Sequence, residues 1–105
     1  MRSELERGFH YAMIDLYRRA KDECSYNSTR FLNMVNEHGG LETARILLNS
    51  TDVSDGYTAM WERQRLDLTV EAIILKPEWK ELFSDNEREI AKTRLEQYGY
   101  RLEKK

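Results

Sequence analysis

Apolar residues recur at spacings of three and four through the first part of the chain, at Leu5, Phe9, Met13, Leu16 and Ala20. That period gathers them on one face and predicts an amphipathic helix over about residues 3–23. Asn27 or Ser28 can cap a second helix that turns Phe31, Leu32 and Val35 inward. Gly39-Gly40 is expected to end it, because glycine tolerates the left-handed backbone common after a helix. Leu41, Ala44, Leu47 and Leu48 outline a short third helix, followed by a turn from Asn49 to Val53. Ser54 or Asp55 then caps a fourth, carrying Tyr57, Met60 and Trp61.

Leu66 and Leu68 flank Asp67, a candidate cap for a fifth helix holding Val70, Ile73 and Ile74. The alternation from Leu66 to Val70 also fits a short strand, but no partner strand is evident. Lys76-Pro77 interrupts the run, and Pro77 suits the first turn of a short element bearing Trp79, Leu82 and Phe83. The strongest local signal is Ser84-Asp-Asn-Glu87, a capping box that opens a last helix with Ile90, Ala91, Leu95 and Tyr98 inside and Gly99 after its end. The pattern as a whole predicts an all-α, compact single-domain bundle of six or seven short helices over residues 1–105, with a fraying tail from about residue 101.

Composition narrows the function. A length of 105 residues fits one domain, and 17 basic against 19 acidic residues leave a net charge of −2, which argues against a non-specific coat for nucleic acid or anionic membrane. A single cysteine, Cys24, cannot close an intramolecular disulfide, and the charged N-terminal residues contain no secretory apolar core. No run approaches membrane-spanning length. The expectation is a cytoplasmic protein with no membrane association, in which the acceptor-like triplets Asn27-Ser-Thr29 and Asn49-Ser-Thr51 carry no sugar.

Chemistry is sparse. Glu6 and His10 share a helical spacing but lack further metal ligands, and His38 beside Gly39 suits a helix C-terminus. Cys24 sits in no nucleophile motif, and Gly39-Gly40 lacks a phosphate-loop pattern. No metal, cofactor or catalytic residue is therefore assigned. The densest segment is Ser54–Glu71, where Tyr57, Trp61 and Arg65 fall four apart and would form an aromatic-aromatic-cation stripe on a helix around 54–66. Such a stripe can be core packing with an arginine at the rim, a protein-binding hot spot, or a reader of nucleic acid through Arg63 or Arg65.

Trp61-Glu-Arg-Gln-Arg65 followed by Leu68-Thr-Val-Glu71 resembles the end of a recognition helix and the start of the next helix in phage-repressor-type helix-turn-helix domains. Ala44 would occupy the usual small position, whereas the Asn49–Asp55 connection is longer than the usual three or four residues. More broadly, Tyr26-Asn-Ser-Thr-Arg-Phe-Leu32, His38-Gly-Gly-Leu41, Ala44-Arg-Ile-Leu-Leu48, the Trp61–Leu68 block and Tyr98-Gly-Tyr100 look like an uncharacterised family of small bacterial helical proteins. That resemblance implies a bacterial cytoplasmic setting, singles out Arg30 and the Trp61–Leu68 block, and transfers no catalytic residue.

The sequence thus favours a non-enzymatic interaction module, accessory or regulatory, that binds a protein partner through Tyr57, Trp61, Arg63, Arg65 and Arg30. The alternative is a helix-turn-helix-like DNA-binding protein. A third is a small enzyme in which folding unites Glu6, His10 and Arg30.

Overall fold

The first helix and the glycine pair after the second set the architecture. In the computed structural model, which describes residues 2–100, α1 spans Arg2–Cys24 and is the spine of the molecule. Its predicted face is the buried one: Phe9 and Met13 have no exposed surface, and Leu16 and Ala20 are nearly covered. Phe9 meets the ring edges of Trp79 at 5.6 Å and Phe83 at 5.2 Å, which fastens the later 3-10 segment Pro77–Leu82 to α1.

α2 (Thr29–His38) is capped by Ser28, whose hydroxyl accepts from the Phe31 amide. Gly39 then serves two helices. Its N–H donates to the Val35 carbonyl and closes α2, while its own carbonyl accepts from Thr43 and opens α3 (Gly40–Leu48). A φ of +85° makes this one-residue corner a glycine position. α3 lies against α1, with Ala44 and Leu48 in the core.

α4 (Asp55–Glu62) starts at the Ser54 cap, as expected, but stops earlier than the stripe requires. Gln64 takes a φ of +60°, Gln64 N–H donates to the Trp61 carbonyl, and Arg65 N–H to the Met60 carbonyl. This is the Schellman pattern, built here on glutamine instead of glycine. Leu66–Leu68 forms a 3-10 turn instead of a strand, and the cap of α5 (Val70–Ile74) is Thr69, not Asp67. The Thr69 hydroxyl donates to the Leu66 carbonyl and accepts from the Ala72 amide, so one buried side chain joins turn and helix.

α6 (Asp85–Gln97) has the expected capping box in both directions. It ends in a second Schellman turn, with Gly99 at φ +84° and Tyr100 N–H on the Leu95 carbonyl. Among the described residues the chain is all-α, with six α-helices and two 3-10 segments. A radius of gyration of 12.8 Å is that of a single compact domain of this size. No described helix is long and apolar enough to cross a membrane. The expected fraying tail lies outside the described residues.

Candidate interaction surface

The early stop of α4 dismantles the stripe read from the sequence. Tyr57 keeps only 1% of its surface exposed. It packs edge-to-face on Tyr98 at 5.1 Å and donates its hydroxyl to the Arg94 carbonyl at 3.0 Å. Burial, reinforced by the nearby Glu71 charge, pushes its phenol above the usual range. Tyr57 is therefore a core residue without a surface for a partner. Trp61, one turn later, stands at the surface with 46% of its area exposed, and its ring lies nearly perpendicular to Tyr98 at 5.6 Å.

Arg63 and Arg65 do not project from the helix as a charged face. Arg63 is the C-cap of α4, and its guanidinium donates to the Ala59 carbonyl at 3.0 Å and to the Cys24 carbonyl at 3.2 Å. It also lies over the Tyr26 ring at 5.5 Å. One cation thus serves the negative ends of two helices, α1 and α4. Arg65 leaves helical geometry and grips Asp67 with two bonds, at 3.0 and 3.2 Å, and Glu23 at 2.7 Å. The turn at Gln64 is what brings Arg65 onto Asp67.

Glu23 receives a second arginine, Arg19, at 2.9 Å. The bonds from Arg19 and Arg65 hold its carboxyl down to about 2, below its ordinary 4.5. A carboxyl that is more acidic when folded contributes stability that is whole above the unfolded value and is lost as the pH falls from about 4.5 towards 2. Glu23→Gln should therefore be modestly less stable at neutral pH and show a flatter acid limb in that window. Urea titrations across the window check this, and an unchanged limb contradicts it.

Arg30 is exposed and has no ionic partner among the described residues. It stands on the rim of an open cleft of about 790 Å³ that also includes Leu16, Tyr17, Met60 and, at depth, Tyr57 and Glu71. The deep polar groups of this cleft are engaged. Glu71 is buried within the apolar α5 and accepts from Arg94 at 3.0 Å. Arg94 also donates to the carbonyls of Leu47 and Ser50. This network was missed in the sequence, although Glu71 is the lone charge in the run Leu68–Leu75, and a charge there needs a buried partner.

The remaining candidates are scattered over the fold. His10 accepts the Gly40 N–H at its Nδ1, 3.0 Å away, and so caps α3. Arg30 belongs to the cleft beside Tyr17, about 10 Å further along α1 at the helical rise per residue. His38 does end α2, next to Glu37. Cys24 is half-buried at the end of α1. Among the described residues no group of three His, Cys, Asp or Glu side chains is placed to hold a metal ion.

A second hollow, of about 610 Å³, lies at the neighbouring ends of α4 and α6. Trp61, Glu62, Gln64, Leu66, Tyr98, Gly99 and Tyr100 line it. The two Schellman turns form its floor, so both helix C-termini face the same place. Comparison with known proteins gives no match to any family model, curated protein or solved structure.

Proposed function

We propose that this protein is a non-enzymatic interaction module, accessory or regulatory, that holds a protein partner at the C-terminal end of α4. The observation that carries this reading is Trp61, an exposed tryptophan fixed against Tyr98 at the mouth of an aromatic hollow. Tryptophan and tyrosine concentrate binding energy at protein interfaces, because each buries a large area with few rotatable bonds. The anchor role shifts from the pair Tyr57–Trp61 to Trp61 with Tyr98 and Tyr100, while Arg63 and Arg65 stabilise the turn that presents it.

The DNA-binding reading gains no support. α4 packs chiefly on the turn that follows it and hardly touches α3, so the two do not form a packed helix pair. Its two candidate arginines are engaged within the fold, and the charges left on α4 are Asp55 and Glu62.

A photo-activated phenylalanine derivative at position 61, compared in cells with one at the exposed Tyr11 on α1, tests the interaction reading. The expected outcome is a discrete cross-linked protein at position 61 that is absent at position 11. No product at 61, or the same products at both, overturns the proposal.

A further inference from the structure

The hollow at Trp61 also has a chemical preference, and we infer that it is a socket for an arginine side chain of the partner protein. The inference rests on the interaction reading above and names what the partner brings. Trp61 and Tyr98 stand at 82° to each other and give the hollow two aromatic walls. Among the described residues Glu62 is the one charged member of the lining, which includes no Lys or Arg. The C-terminus of α6 adds the negative end of its helix dipole, while that of α4 is already served by Arg63. Aromatic faces, a carboxylate and the end of the α6 dipole all favour a cation, and a planar guanidinium can stack on a ring while its edge donates hydrogen bonds.

The fold itself uses this combination twice. Arg45 lies over the Phe83 ring at 5.7 Å while pairing with Glu87 at 3.0 Å. Arg63 lies over Tyr26 while donating to the last carbonyl of α1, that of Cys24. The Trp61 hollow repeats those elements, with an aromatic wall, a carboxylate and a helix end. Among the described residues it contains no arginine of this chain. An arginine brought by a partner would complete it. Because the hollow is open, it suits a side chain carried on a larger surface better than a free small molecule, whose binding relies on enclosure.

The test uses the full chain labelled with ¹⁵N and two neutral-capped tripeptides, one with arginine and one with citrulline at the centre. Citrulline keeps the shape and loses the charge. The indole N–H of Trp61 reports binding, with that of the half-buried Trp79 as internal reference. Saturable movement at Trp61 by the arginine peptide is expected, with the citrulline peptide at least about threefold weaker, the scale of an exposed cation–π contact. Glu62→Gln should weaken the arginine peptide by about two- to fivefold, as for a surface ion pair.

Equal binding of both peptides, or no movement at Trp61, overturns the inference. So does an Arg101→Gln variant that binds the peptide about tenfold more tightly, since the chain's own arginine would then be the occupant. A partner captured at position 61 without any response to the arginine peptide removes this inference alone and leaves the interaction reading standing.

Discussion

Arg94→Met is expected to remove about 3–5 kcal/mol of stability, the range for breaking a buried ion pair from one side. Arg94 and Glu71 retain only 12% and 5% side-chain exposure, so Glu71 would be left as a buried carboxylate with its charge partner gone. The substitution also strips the donors from the Leu47 and Ser50 carbonyls at the end of α3. Burial already pushes the Glu71 carboxyl upward, against the bonds from its backbone and Arg94 that pull it down. Without Arg94 that upward push is less opposed. A carboxyl whose folded value lies above its unfolded one regains stability as the pH falls, so the defect of Arg94→Met should shrink in mild acid. Exchanging both members, Arg94→Met with Glu71→Leu, should recover most of the loss, since no buried charge remains. Urea unfolding of the single and double variants measures both statements. A single-variant loss below about 1 kcal/mol, or a double variant no better than the single, contradicts them.

The same pair shows where sequence patterning stops being informative. Helix positions were legible because they rest on local rules. The three-and-four spacing of Leu5 to Ala20, the Ser54 cap and the Ser84–Glu87 box each depend on neighbours within a few residues. The candidate site depended on non-local facts. Tyr57 and Trp61 look alike on a helical wheel, yet one lies under Tyr98 and the other beside it at the surface. Whether Arg65 continues the stripe hinges on the φ of Gln64, a residue without the glycine that normally marks such a turn. Arg63 and Arg65 are held by Cys24 and Glu23, which lie 39 and 42 residues away and which helical spacing cannot reveal. The fold was thus readable from periodicity and caps. The division between core and surface at α4 was decided by where α1 and α6 pass.

Gly40→Ala is expected to cost about 3 kcal/mol, the upper part of the range for overpacking a close contact. Helix propensity alone predicts the opposite sign, since alanine in a helix is better than glycine by about 1 kcal/mol. Packing should win because a Cβ at Gly40 would lie 2.6 Å from the His10 Cα, 3.2 Å from its amide nitrogen and 3.2 Å from the Met13 Cγ. The first two are backbone atoms of α1, so relief requires the helices α1 and α3 to part, and theirs is the most extensive helix contact among the described residues. Separation would also stretch the Gly40 N–H bond to His10 Nδ1, the cap of α3. Trimming His10 to alanine in the same protein should not rescue it, because the obstructing atoms remain. Gly39 offers the contrasting control. An added Cβ there meets nothing within 4 Å, and the cost of Gly39→Ala would come from its φ of +85° and ψ of 161°, about 1–3 kcal/mol for a glycine-only region. D-Alanine at position 39 should remove that strain. Thermal and urea unfolding, with amide shifts around His10 as the structural readout, separates the two causes. A Gly40→Ala protein as stable as wild type would mean that α1 and α3 do not approach as closely as described.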